Sequence, residues 1–551
     1  MMEVDQAIRV QKGKMTQLLS GEQVVDLLCN TNFMAKWDLL YEQCPWATVF
    51  QKREFVSSWY QHYTSRYLPI LIHETTAGKL TGLLTLAKCE KEGITGAGAN
   101  QAEYQVWLAE PSNSNEFIQS ALSQLRSQFP SDVIHLKYLP SNTPVNWVNA
   151  DSRWGTHCTL QLHKQPLMVI EDASIASELK KKNRREKINR LKRLGELKFE
   201  RITELNDFVS LIDMLATQFD FRKGATVNLT PFKSDPFKRD FLVSLFEQNL
   251  LHVTLLKLNN EAIASNVGAY GRGWVHLQGL NTHSPYYAKH SPGILHFLML
   301  GRLLAEENFD VFDLTPGGDS YKNSLANSYV HAYELTISNH LRRYTQNSKI
   351  RLANYIKQSF AKRGIKPTAI KDFKRSTWIL FRKLRLVKSL DIRSSFEHIM
   401  QLLQLHSERV YRFTNDSISP PDIQTGYVNI QKLEDLLNYE DSGSLRTRWE
   451  FLSEAMRRFE SGERCYTWGA GGRLLACTWQ GAARAGGPVP EGAPVLRGLY
   501  CHRTGRSGLA NFLAVVARKA TQAGESEQVY ALARNKTIGS ALKSAGFSHM
   551  M

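Results

Sequence analysis

No apolar run in this chain approaches the ~20 residues that a membrane-spanning helix needs, so no transmembrane segment is expected. The opening thirty residues, MMEVDQAIRVQKGKMTQLLSGEQVVDLLCN, lack the basic-then-apolar layout of a secretion signal. Cysteine is sparse and scattered. The seven residues Cys29, Cys44, Cys89, Cys158, Cys465, Cys477 and Cys501 include no CxxC pair. An odd, dispersed set of this kind reads as reduced thiols, with neither a disulfide framework nor a zinc site. Tandem repeats of short period are absent too. These absences lead to the expectation of a soluble cytoplasmic protein without a metal.

What is present is globular: 42% of residues are hydrophobic and 10% aromatic. At 551 residues the chain is too long for one ordinary core, and about three domains are expected. The net charge of +17 is unevenly spread. Residues 180–193, KKKNRREKINRLKR, hold nine Lys/Arg and one Glu. Residues 341–393 hold sixteen Lys/Arg against Asp372 and Asp391. The two segments together carry +22 and leave the remainder at −5. Such segments suit a polyanion, whether nucleic acid, an anionic membrane face or a nucleotide-linked substrate. A solvated helix face is the alternative reading of either run. In the first, Ile188, Leu191 and Leu194 share one side, which predicts an amphipathic helix docked by that stripe.

Periodicity gives an α/β chain in four parts. Residues 1–165 alternate helices (34–66, 113–128) with strands such as YLPILIHE, KLTGLLTLAK, VIHLKYL and HCTLQLHK. Residues 166–345 open with a basic helix at about 174–194, stopped by Gly195. Two more helices follow, then a three-stranded meander (LHVTLLKLN, AIASNVGAY, GWVHLQGLN), a helix at 292–307, the buried strand FDVFDLTP, and YVHAYELTI. A basic helical linker spans 346–395. Residues 396–551 repeat the order of the second part, with helices, antiparallel strands, a Gly-bearing turn, a helix, a strand and a helix.

The helix at 292 begins on Ser291-Pro292-Gly293. Ser suits an N-cap and Pro the first helical position, where a missing N–H costs nothing. Alternatively, the start offers free N–H groups and the positive end of the helix dipole to a phosphate. Both readings stand at this point.

Two helices, an antiparallel meander and a Gly-rich turn into a helix resemble the GNAT (Gcn5-related) acyltransferase fold, in which that helix start receives the pyrophosphate of acyl-CoA. In the last part, GRSGLANFL (505–513) resembles the family's phosphate loop, with Gly508 and Ala510 at its last two positions but Gly505 where Gln or Arg is the rule. NKTIGSALKSAGF (535–547) resembles the family's Asn-to-Gly-Phe segment, with Asn535 at its head. Leu542 stands where a general-acid Tyr often serves, and Met551 follows closely, so this module is expected to be incomplete and to bind without catalysing.

Residues 30–340 resemble the CelD/BcsL-type (BioF2-like) acetyltransferases and, more distantly, the Fem-type aminoacyltransferases, both built from paired GNAT-like halves. The resemblance rests on LKKKNRREKINRLKRLGELKFE, QFDFRKG and YYAKHSPGILHFLMLGRLLAEENFDVFDLTPGGDSYK. It implies that Ser291-Pro292-Gly293 is the phosphate turn, with Gly293, Ile294 and Leu295 as donors and Ser291 competing for one of them if it caps. GGDSYK follows a buried strand, at whose carboxyl end ligands gather in open α/β sheets. There Asp319 would orient or deprotonate an acceptor, Tyr321 would protonate a leaving thiolate, and Lys322 would pair with a phosphate or carboxylate. His283 is a further candidate base. By the Fem pattern, Arg184 and Arg185 would contact an anionic substrate or RNA. The expectation is an acyl-CoA-dependent N- or O-acyltransferase made of tandem GNAT-like domains, with a link to exopolysaccharide or envelope biosynthesis. A Fem-like enzyme using aminoacyl-tRNA and a degenerate GNAT-fold binding protein are the alternatives.

Overall fold

The computed structural model describes residues 13–339 apart from 92 and 149–152, then 367–387 with scattered positions between 343 and 360, and 409–414, 428–441, 446–522, 528–533 and 536–550. Asn535 and residues 388–395 of the expected linker lie outside the described residues. The chain forms two compact units, one from 1–213, 235–282 and 292–364, the other from 214–234, 283–291 and 365–551. All seven cysteines are free thiols. Among the described residues no helix is long and apolar enough to cross a membrane.

In the first unit the strands are β1 (Lys14–Ser20), β2 (Leu68–Thr76), β3 (Lys79–Cys89), β4 (Gly93–Gly96), β5 (Leu108–Ala109), β6 (Ile134–Leu139), β7 (Cys158–Val169), β8 (Leu197–Ile202), β9 (Leu251–Leu258), β10 (Glu261–Gly271), β11 (Trp274–His283), β12 (Val311–Asp313) and β13 (Ser328–Ile337). They build one mixed sheet in the order β1-β2-β3-β4-β6-β13-β7-β12-β11-β10-β9-β8, with β5 added beside β3. Apolar runs in β2, β3, β9 and β10 are buried on both faces, so continuous hydrophobicity replaces alternation there. β13, from the second half of the sequence, lies between β6 and β7 of the first, antiparallel to both. β7 pairs in turn with β12. The two halves therefore share a continuous sheet through exchanged strands.

The helices are α1 (Glu22–Leu28), α2 (Thr31–Gln43), α3 (Arg53–Tyr63), α4 (Ser114–Gln128), α5 (Asp172–Lys180), α6 (Lys182–Leu194), α7 (Leu205–Val227), α8 (Pro231–Ser234), α9 (Lys238–Glu247), α10 (Pro292–Glu306) and α11 (Ser320–Leu325). Asn30 caps α2 by accepting the Phe33 N–H at 2.9 Å, as its side chain suits it to do. Trp37, Trp59, Tyr60, Phe55 and Phe117 fill the core beneath α2–α4, and Tyr60 donates its hydroxyl to the Leu86 carbonyl at 2.7 Å. The basic segment expected as one helix over 174–194 is two. Lys181 (φ −56°, ψ 137°) leaves the helical region between α5 and α6, with neither Gly nor Pro to mark the break. Of its predicted stripe, Leu191 is fully buried and Ile188 half-buried, whereas Leu194 is 53% exposed.

The second unit holds the sheet β15-β16-β17-β18-β19-β14-β20, from β14 (Arg409–Thr414), β15 (Asn429–Ile430), β16 (Arg464–Ala470), β17 (Arg473–Ala482), β18 (Pro494–Cys501), β19 (Gln528–Ala533) and β20 (Ser548–His549). Helices Arg448–Glu460, Leu509–Gln522 and Lys536–Ser544 pack on it. Phe512, Leu513, Val516, Val529, Leu542 and Phe547 make its main core. One feature recurs in both units: a parallel strand pair that is joined over only two or three positions. These pairs are β4 with β6, β11 with β12, and β18 with β19.

Candidate active site

β11 pairs with β12 only from Trp274 to His276, opposite Val311 to Asp313, and then continues to His283 without β12 while keeping β10 on its other edge. The strands splay beyond Asp313, and α10 follows β11 in the chain. Pro292 is the first residue of α10, as its fixed φ suits. Ser291 is not in the extended conformation of a capping serine. Its φ of 54° and ψ of 50° are left-handed, and its N–H closes the preceding 3-10 turn Pro285–His290 onto the Ala288 carbonyl at 2.9 Å. Gly293 and Ile294 are half-exposed in the first turn, while the side chain of Leu295 is fully buried. A first helical turn has no intrahelical acceptors for its N–H groups, so this half-open turn carries donors for an anion.

Beneath α10 lies a residue that periodicity did not single out. Asn266 on β10 is fully buried, and neither atom of its amide has a hydrogen-bond partner among the described residues. It stands opposite Thr254 of β9, so the two side chains share one face of the sheet. Thr254 Oγ1 lies 3.1 Å from His296 Nε2, in the second turn of α10, which sets Asn266 on the α10 side. An amide left unpaired in a core costs about 1–3 kcal/mol. Burial lowers the pKa of His296 to about 3, so this imidazole is neutral and braces α10.

The loop after β12 is held from below. Asp313, fully buried, accepts from Tyr104 Oη at 2.6 Å, His276 Nδ1 at 2.9 Å, Gln165 Nε2 at 3.1 Å and the Thr315 N–H at 2.8 Å. Burial alone would raise its pKa, but His276, Tyr104 and the Thr315 N–H together hold it below the ordinary value. Thr315 has φ of +61°, a costly conformation for a β-branched residue. Lys322 supports that turn from within, donating to Thr315 O at 3.1 Å and to Oγ1 at 2.9 Å. Its ammonium is buried, and desolvation lowers its pKa against the pull of Asp319, Glu103 and Asp313. Lys322 is thus engaged by the loop itself. Asp319, exposed, holds the N-cap position of α11 without a capping hydrogen bond from its side chain. Tyr321 is half-buried and stacks on Phe297 of α10, with centroids 6.2 Å apart and an interplanar angle of 18°. The structure therefore brings the GGDSYK loop and α10 together through Tyr321.

The other candidates fall elsewhere. His283 ends β11 and belongs to the second unit; burial and then the nearby Arg222 charge lower its pKa to about 4, leaving it neutral. Arg184 is half-buried and Arg185 exposed near the start of α6. Gly508 closes the 3-10 turn Arg503–Gly508 and Ala510 lies in the first turn of the next helix. A Cβ at Gly508 would stand 2.3 Å from the Trp468 ring, so that indole covers the turn. At Gly505 a Cβ would meet the Leu475 carbonyl at 2.9 Å, which leaves no room for a larger residue. Leu542 is buried in the core and carries no acid. Among the described residues no group of three or more His, Cys, Asp or Glu could hold a metal ion.

No curated protein matches the chain. Among solved structures, FemX is similar at 10% identity over 57% of this chain and 98% of that one, with a TM-score of 0.41. A tandem GNAT protein from the clavulanic acid biosynthesis pathway is similar at 12% identity over 59% and 99%, with a TM-score of 0.36. A conserved protein of unknown function from Bacteroides thetaiotaomicron is similar at 10% identity over 56% and 97%, with a TM-score of 0.37. The sequence family described as "Acetyltransferase (GNAT) domain" matches residues 179–323. The match runs from the end of α5 through α6, the meander and α10 to the GGDSYK loop, so this segment of the α/β chain is similar to the GNAT acetyltransferase domain.

Proposed function

We propose that the chain is an acyltransferase whose donor site lies at the β11/β12 splay. The observation that carries this reading is the match of the GNAT domain to 179–323, the stretch that holds the open first turn of α10 and the unpaired amide of Asn266. An acyl-CoA pyrophosphate would sit on the N–H groups of Gly293 and Ile294, with Leu295 next in line. Asn266 would take up polar atoms of the donor's arm. An acceptor amine or hydroxyl attacks the thioester carbonyl, the new C–N or C–O bond replaces the C–S bond, and the thiolate leaves. Asp319 takes the acceptor's proton and Tyr321 supplies one to sulfur. Holding both reactants in line accounts for most of the acceleration. Lys322, spent on Thr315, shapes the site instead of binding substrate directly. The CelD/BcsL resemblance adds a cytoplasmic enzyme with a saccharide or nucleotide-linked acceptor of envelope or exopolysaccharide biosynthesis.

The exposed cations of α6 favour a second reading, a Fem-like transfer from aminoacyl-tRNA, with Arg184 and Arg185 on the RNA. Trp468 over Gly508 and Leu542 in the core support a C-terminal GNAT-like module without catalysis of its own. Thiol release from acetyl-CoA in the presence of amine and hydroxyl acceptors, with and without ribonuclease treatment, separates the two. Ribonuclease-resistant release supports the acyl-CoA reading. Transfer that needs charged tRNA and falls steeply with salt overturns it.

A further inference from the structure

The helix Pro367–Val387 is docked inside out. A surface helix normally turns its apolar stripe to the core and its charges to water. Here the charged side faces the protein. Within the second unit, Arg382 Nε and Nη2 each lie 2.9 Å from a carboxylate oxygen of Asp441, and Lys383 Nζ is 2.7 Å from Glu450 Oε1. The Arg375 guanidinium lies 5.3 Å from the Trp449 ring, against which Trp378 packs edge-on at 5.4 Å. Away from these contacts Phe373 and Leu380 are 72% and 59% exposed, and Phe381, 64% exposed, stands at the rim of a cavity it shares with Arg385, Asp441 and Arg448. These positions fall at i, i+7 and i+8, one face of a helix. Thr377 joins that face at i+4, and its hydroxyl is satisfied within the helix by the Phe373 carbonyl at 2.9 Å. Large apolar side chains lined up in water mark an interaction surface.

The charge pattern says what kind. The helix holds six Lys/Arg against one Asp, within a segment that carries +14 over 341–393. With Arg382 and Lys383 paired inward, Lys374 remains exposed beside Phe373 and Arg385 beyond Phe381. Aromatic and aliphatic side chains flanked by cations, on a helix too charged to cross a bilayer, suit the headgroup boundary of an anionic membrane. We infer that the helix Pro367–Val387 docks the protein on an anionic lipid surface, with Phe373, Leu380 and Phe381 inserted and Lys374 and Arg385 at the headgroups. At roughly 100° per residue, Lys374 and Arg385 border the stripe along its Phe381 flank, one near each end of the helix, so positive charge runs the length of the apolar face and matches an extended negative surface. This inference stands apart from the donor site.

Flotation of the intact chain with vesicles tests it. The chain should float with phosphatidylglycerol/phosphatidylcholine vesicles and bind pure phosphatidylcholine at least tenfold more weakly. Combined Phe373→Ser, Leu380→Ser and Phe381→Ser should reduce binding to the anionic vesicles at least tenfold while the thermal melt stays unchanged. Lys374→Glu with Arg385→Glu should weaken binding most at low salt. Three results would overturn the inference: absence of flotation with anionic vesicles, equal flotation by the triple serine variant, or a dimer that this variant converts to monomer. The last would show a second copy covering the face.

Discussion

Asp313 receives hydrogen bonds from Tyr104, His276, Gln165 and the Thr315 N–H while fully shielded from water, and its lowered pKa makes the site sensitive to acid. Because the folded value lies below the unfolded one, its contribution to stability is complete above the ordinary carboxylate range. It is lost as pH falls through the folded value, below about pH 4. Asp313→Asn should cost about 3 kcal/mol in urea unfolding at pH 7, since it leaves buried donors facing a poorer acceptor, and should flatten the acid limb of the stability profile. Asn266→Val is predicted to act in the opposite sense. Removing an unpaired buried amide should leave the unliganded chain as stable or stabilise it by about 1 kcal/mol, while acetyl-CoA binding is lost. Calorimetry and a thermal melt on the same sample check both halves. Neither residue was legible as a site in the sequence. Asp313's partners lie 37, 148 and 209 residues away, so local pattern shows only a buried strand. Asn266 sits in an apolar run whose meaning depends on α10 above it.

At the scale of elements, helix and strand positions were largely readable because the apolar spacing is regular. The helix Leu509–Gln522, the meander of β9–β11 and the start of α10 at Pro292 fall close to where periodicity puts them, whereas the 3-10 turn Arg503–Gly508 and the left-handed Ser291 carry no such local signal. Thr447 and Glu450 form a capping box at the head of Arg448–Glu460. Thr447→Ala should therefore lower stability by about 1 kcal/mol, read from the denaturation midpoint at constant m-value. The break at Lys181 was not readable. Its neighbours favour helix, and neither Gly nor Pro marks the turn of the chain there. β1 and α1 were missed because a polar edge strand lacks the apolar run that reveals a central one. Gly505 and Leu542 were seen as departures from a family pattern, but what surrounds them, a carbonyl 2.9 Å from the absent Cβ and a filled core, is tertiary.

Across the whole molecule, strand exchange ties residues far apart in sequence. β13 lies between β6 and β7, so a fragment ending at residue 165 would lose the partner that joins them. Such a fragment should show no cooperative thermal transition by circular dichroism, in contrast to the intact chain. The sequence order of helices, meander, turn and helix identified the repeated architecture, but exchange between halves could not be inferred from segments read one by one. The donor is proposed to bind at α10 and not at the turn covered by Trp468. The measurement that tests it most directly is calorimetric titration of acetyl-CoA into the intact chain, Gly293→Trp and Gly508→Trp. Binding by the intact chain, kept in Gly508→Trp and lost in Gly293→Trp with its thermal melt unchanged, is the predicted result. Binding that survives Gly293→Trp and vanishes with Gly508→Trp, or no binding by the intact chain, would contradict it.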